Sequence, residues 1–252
     1  LPDASATLLQ ERTHPAWRRI KFDELLAQQL SMRLHYRQRR SHSAPVLLNK
    51  SKLTTALLES LPFELTRCQK KEFAEISRDL AVCHPMQRLL QGDVGCGKTV
   101  VAALAMLQAI ENDCQAALMA PTEILAEQHY QKLSGWLGPL LAPLGVTIAR
   151  LSGSQKKKQR EAALADIAEG RAMLAVGTHA LFQEQVEFGR LGLAIIDEQH
   201  RFGVHQRLAL RMKGAKAESV PHQLMMSATP IPRTLSMSYY RCWVGCLQEQ
   251  RR

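Results

Sequence analysis

Three observations predict an α/β fold in which a parallel sheet lies between helices. Short apolar runs recur between residues 88 and 227 with helix-length segments separating most of them. Several, such as Leu193-Ala194-Ile195-Ile196, are apolar without alternation, and one leads into a glycine-rich loop followed by a buried-type helix. Strands joined through helices pair in parallel, and a strand covered on both faces reads as a continuous apolar run. A helical connector is expected ahead of this sheet.

Residues 1–60 form the expected connector, since helical spacing dominates and no strand pattern stands out. Phe22, Leu25, Leu26, Leu30 and Leu34 recur at three- and four-residue steps, which places them on one face of a helix with a polar face opposite. Arg33, Arg37, Arg39 and Arg40, with Tyr36 among them, read better as the charged outer face of that helix than as a phosphate-contacting patch. The stretch Ser41-His42-Ser43-Ala44-Pro45 marks a turn or loop, and a second short helix is expected over residues 52–60.

The main domain is predicted over residues 61–238. It opens on a helix with Thr66 as N-cap and Phe73, Ile76 and Leu80 on the inner side. Strands are predicted at 88–91, 116–120, 146–151, 172–177, 193–197 and 223–227. The basic run at 155–160 reads as a solvated helix start, no internal repeat is present, and residues 239–252 form an atypical tail.

Composition narrows the class. In 252 residues, 46% hydrophobic content is ample for a packed core, and the longest wholly apolar run, Val100 to Leu107, falls far short of the roughly 20 residues that span a bilayer. A soluble protein without a membrane span is expected. The start, Leu1-Pro2-Asp3-Ala4, has neither an initiator Met nor a basic and apolar leader, so an internal fragment is expected rather than a secreted chain. The net charge of +10 favours a polyanionic partner. Cys68, Cys83, Cys96, Cys114, Cys242 and Cys246 show no paired C-x-x-C framework, so reduced thiols of a cytoplasmic protein are expected and a zinc site is not.

Chemistry enters at Gly92-Asp93-Val94-Gly95-Cys96-Gly97-Lys98-Thr99, which fits the pattern G-x-x-x-x-G-K-[ST]. Glycines let the backbone curl until its N–H groups point inward, and the following helix adds the positive end of its dipole, so triphosphate oxygens are held there. Lys98 would reach the β and γ phosphates and the Thr99 hydroxyl would take one position on Mg²⁺. Adjacent carboxylates close the apolar run at 193–196: Asp197 directed toward Mg²⁺, through a water ligand, and Glu198 toward the attacking water. ATP and Mg²⁺ are the expected cofactors.

Gly92 to Thr99 and Asp197-Glu198-Gln199-His200 together resemble the first and second motifs of superfamily 2 helicases and translocases in their D-E-x-H form. Ala120-Pro121-Thr122-Glu123, Gly177-Thr178-His179-Ala180-Leu181 and Ser227-Ala228-Thr229-Pro230 match three further motifs in the family's order. More narrowly, the runs from Asp197 to Arg207 and from Ser227 to Leu235 look like the bacterial RecG family of ATP-dependent DNA helicases, with the motor of the transcription-repair coupling translocase the nearest rival. The resemblance covers about residues 6 to 238.

The resemblance implies a RecA-like motor domain and a set of roles. Gln69 would read adenine. Pro121, Thr122 and Glu123 would face the DNA backbone at a helix N-terminus, and Gly177, Thr178 and His179 would supply a second backbone contact. Gln199 and His200 would sit between nucleotide and the Ser227-Ala228-Thr229 loop, linking γ-phosphate occupancy to the grip on DNA, with His200 counted beside Lys98, Asp197 and Glu198 in the catalytic set. Phe202 is open between stacking and interdomain packing.

The family's motor has two such domains, with arginines of the second completing the site; here the second, and the wedge domain expected ahead of Leu1, are not found, and a shifted or truncated frame after Ser238 is suspected. The parent is expected to be a monomeric motor that remodels forks and junctions, and this chain to be inactive in unwinding alone. A non-catalytic, nucleotide-dependent nucleic-acid-binding module is the alternative of a different class. A small-molecule kinase is disfavoured by the Asp197-Glu198-Gln199-His200 and Ser227-Ala228-Thr229 motifs.

Overall fold

The computed structural model describes residues 15–40, 42–153, 155–183, 185–197, 219–228 and 242–244. Helix α1 spans Pro15–Arg40 and belongs to a unit of its own, Leu1–Ser41, while His42–Arg252 forms a second. The predicted apolar stripe of α1 is exposed at Phe22, Leu25, Leu26, Leu30 and Leu34.

The second unit begins earlier than the boundary expected after residue 60, and local packing explains the shift. Leu47 is fully buried, its N–H donates to the Leu80 carbonyl (2.9 Å), and its own carbonyl accepts from Gln108 Nε2 (2.7 Å). Helix α2, Lys52–Ser60, buries Leu57 in the same core. Helix α3, Arg67–Leu80, starts as predicted: Thr66 Oγ1 accepts from the Gln69 N–H and Gln69 Oε1 accepts from the Thr66 N–H, a reciprocal cap that satisfies two otherwise unpaired donors. Ile76 and Leu80 are fully buried on its inner side, and Phe73 is partly so.

Six strands follow the predicted positions to within two residues: β1 Gln87–Gln91, β2 Gln115–Met119, β3 Thr147–Leu151, β4 Ala172–Gly177, β5 Leu191–Asp197 and β6 His222–Ser227. A short β7, Cys242–Val244, lies in the stretch read only as an atypical tail. The order is β3-β4-β2-β5-β6-β1-β7 and every pair is parallel. All strand carboxyl ends therefore lie along one edge.

Two apolar layers cover this sheet. Helices α4 (Lys98–Ile110) and α5 (Glu123–Leu141) pack with α2 and α3 against Leu118, Val176, Leu193, Ile195, Leu224 and Met226. Helix α6, Lys157–Ala168, covers the other face, where Ile167 meets Met119, Ala175, Ala194, Ile196 and Met225. Every residue of α4 from Val100 to Ile110 is buried, as the all-round apolar run requires of a helix enclosed on every side. Among the described residues Cys68, Cys83, Cys96 and Cys114 are free thiols, and no helix is long and apolar enough to cross a membrane.

His222 holds the first segment of this unit to the sheet. Its Nδ1 accepts from the Met86 N–H (3.0 Å) and its Nε2 donates to the Pro45 carbonyl (2.7 Å), an arrangement only the neutral ring can make. Burial pushes its pKa below the ordinary histidine value, against smaller upward effects from the Pro45 hydrogen bond and from Asp79. The unfolded chain thus takes up a proton near pH 6.5 that the folded chain refuses. The stability contributed is complete above that pH and is lost as pH falls below it, by up to about 1.4 kcal/mol per pH unit. Urea midpoints measured from pH 7.5 to 5.5 should fall in wild type and fall less in His222→Gln; parallel curves would contradict this.

Candidate functional site

The glycine loop leaves β1 at Gln91 and enters α4 at Lys98. Gly95 and Gly97 take left-handed backbone (φ 82° and 87°), which turns the chain tightly between strand and helix. Three bonds brace the loop: the Gly92 N–H donates to the Ser227 carbonyl (3.1 Å), the Cys96 N–H to the Asp93 carbonyl (3.2 Å), and Gln69 Nε2 to the Cys96 carbonyl (3.0 Å). Gln69 thus spends both ends of its amide on structure, one on its own helix cap and one on the loop. A Cβ on Gly97 would stand 2.2 Å from Gln69 Nε2, so this glycine also answers to a close approach.

Lys98 Nζ donates to the carbonyls of Gly92 (2.5 Å) and Asp93 (2.9 Å), which folds the ammonium back over the loop. Its charge lies over the loop beside the N-terminal end of α4, and the two fields add in favour of an anion there. Val94, at the outer turn of the loop, is 90% exposed.

Asp197 ends β5 and is 8% exposed. It is in phase with Leu193 and Ile195, so it belongs to the sheet face covered by α4 and α5. There the sequence missed a partner: His129 Nε2 of α5 lies 2.7 Å from Asp197 Oδ2. Nothing in the spacing of His129 marks it out, because the contact depends on β2 and β5 being neighbours.

The residues read as metal holders suit Mg²⁺. No group of three or more His, Cys, Asp or Glu able to hold a metal occurs among the described residues, and Mg²⁺ with a nucleotide asks for few protein ligands, drawing the rest from phosphate and water. A buried carboxylate and a half-buried hydroxyl on α4, Asp197 and Thr99, are ligands of that hard, oxygen-donor type.

The loops read as nucleic-acid contacts follow β2 and β4, which are adjacent strands. Thr122 caps α5, its Oγ1 accepting from the Leu125 N–H (3.3 Å), and Thr122, Glu123 and Ile124 are exposed. After β4, His179 is exposed, while Gly177 and Thr178 are buried. The glycine at 177 has a packing reason, since a Cβ there would come within 2.2 Å of the Leu151 carbonyl oxygen. Ser227, fully buried at the end of β6, reaches the phosphate loop through its backbone carbonyl. Glu198, Gln199, His200, Phe202 and Thr229 lie outside the described residues.

Residues 66–238 match the family described as DEAD/DEAH box helicase. The ATP-dependent DNA helicase RecG of Haemophilus influenzae is 52% identical over 239 residues, covering 95% of this chain and 34% of that protein. RecG of Escherichia coli K12 is also 52% identical, over 95% of this chain and 36% of its own length. The chain spans about a third of the length of the curated relatives it matches. A structure of RecG bound to a three-way DNA junction superposes with a TM-score of 0.75 at 38% identity over 89% of this chain and 29% of that one. The DEAD-box helicase Mss116 bound to single-stranded RNA shares the fold alone, with a TM-score of 0.58 at 19% identity. These likenesses do not favour the transcription-repair translocase. A RecA-like parallel sheet with its glycine loop and strand-end carboxylate, matched over most of its length, makes this chain a member of the DEAD/DEAH box helicase family, within its RecG branch.

Proposed function

We propose that this chain is the first, nucleotide-holding motor domain of an ATP-dependent DNA translocase that remodels branched DNA such as forks and junctions. The observation that carries the proposal is that the loop leading from β1 to Lys98 and the residue ending β5, Asp197, lie at strand carboxyl ends on one sheet edge with only β6 between the two strands. Gly92 to Thr99 cradle the triphosphate with Lys98 on its outer phosphates. Thr99 and Asp197 hold Mg²⁺, Asp197 through water, and Glu198 orients the attacking water, with Gln69 at the adenine edge. Bound Mg²⁺ would neutralise charge on the transferred phosphoryl oxygens.

DNA lies across the ends of β2 and β4, held by backbone groups at Pro121, Thr122 and Glu123 and by Gly177, Thr178 and His179. Burial of Thr178 favours contact through its backbone and leaves His179 as the outward side chain of that group. Gln199, His200, Ser227 and Thr229 link the two ligands; the bond from Gly92 to Ser227 supports such a link. The protein works as a monomer in the bacterial cytoplasm. As one wall of a two-walled site, this domain by itself should bind nucleotide and turn it over slowly, because an arginine supplied from outside such a site is typically worth about 10³ to 10⁵ in rate.

A salt titration tests the DNA assignment. Fluorescence anisotropy with a forked duplex should show binding at low salt that weakens as salt rises, with a log–log slope of about −2 or steeper if two or more phosphates are neutralised. Absence of binding at 50 mM salt would remove the nucleic-acid assignment for this chain, and strong DNA-stimulated ATP turnover by it alone would refute the need for a second domain.

A further inference from the structure

We propose that His129 is a positioning residue for Asp197: it sets the carboxylate that holds the nucleotide's Mg²⁺. The proposal rests on the Mg²⁺-nucleotide assignment above and adds to it a residue outside the recognised motifs. The separation of 2.7 Å between Nε2 and Oδ2 lies in the range of charge-assisted bonds, and an ionised carboxylate only accepts, so the ring nitrogen facing it carries the hydrogen. Both side chains are only 12% exposed, which makes the bond costly to leave unmade.

The frame around the pair is rigid. His129 sits between Ala126 and Leu133, which are fully or nearly fully buried on α5, so its backbone is held against the core on both sides. Asp197 follows Ile195 and Ile196, both fully buried, and β5 is paired on one side with β2, whose end leads into α5. The imidazole therefore spans neighbouring strand ends and fixes one carboxylate oxygen, which orients the group as a whole. Outer partners of this kind, which orient a metal-holding group, typically change metal affinity or activity about 10- to 100-fold when removed.

The test compares two variants that differ in reach. His129→Gln places an amide N–H near the position of Nε2, whereas His129→Asn stops short of it; thermal melts establish that both are folded. A fluorescent ATP analogue is titrated onto the 252-residue chain with Mg²⁺ and again with EDTA. We expect His129→Asn to weaken binding about 10-fold or more in Mg²⁺ and to leave binding in EDTA unchanged, while His129→Gln stays within about threefold of wild type in both. Equal behaviour of the two variants, or a loss of the same size with and without Mg²⁺, would overturn the proposal. A wild-type chain whose nucleotide binding ignores Mg²⁺ would instead overturn the underlying assignment, and this proposal with it.

Discussion

Replacing Lys98 by Ala should weaken Mg²⁺-nucleotide binding by this chain about 10- to 100-fold, since a hydrogen bond to a charged group is worth about 1.5–3 kcal/mol. The loss should be larger in the catalytic step of a full-length relative carrying the same change, on the order of 10² to 10³ in kcat, because charge develops on the transferred group only in the transition state. The fold should survive: Lys98 is half-buried, and its described contacts are two loop carbonyls and the Cys96 sulfur at 3.8 Å. Isothermal titration with a non-hydrolysable ATP analogue, alongside a thermal melt, separates the two effects. Wild-type affinity in the variant would refute the role given to Lys98.

Gly177→Ala should act in the opposite way, by damaging the fold before any ligand is added. The new Cβ would stand 2.2 Å from the backbone oxygen of Leu151, an atom that cannot swing aside as a side chain could. Overpacking of this sort costs about 1–3 kcal/mol, or roughly 3–10 °C in Tm for a domain of this size. Gly135→Ala is the control: it lies within α5 with nothing inside 4 Å of its added Cβ, so it should be neutral or slightly stabilising. Equal melts for the two variants would show that β3 and β4 can separate more easily than their pairing suggests.

What could be read from the sequence was local. The cap at Thr66, the glycine loop and the six strands each depend on residues within a few positions of one another, so propensity and spacing reveal them. The features that escaped depend on contacts across long separations. The start of the compact unit at His42 follows from Leu47 meeting Leu80 and Gln108, and β7 from its pairing with β1. The bond from His129 to Asp197 spans 68 residues and exists only because β2 lies beside β5. Gln69 was expected at the adenine edge from the resemblance alone; its amide serves a helix cap and the loop carbonyl at once, a double commitment that composition cannot express.

The place of β1 in the sheet has a consequence for the order in which the protein is made. It comes first in chain order among the described strands, yet its neighbours are β6 and β7, and Gln87 pairs with Gln223 across 136 residues. The Gly92 N–H is held by Ser227. A nascent chain ending after β5 thus contains the whole phosphate loop without the neighbour that supports it, and closing so long a loop is entropically slow. The bond that braces the loop from Ser227 forms only when residue 227 has taken its place, so a triphosphate held there as proposed should stabilise finished domains over partial ones.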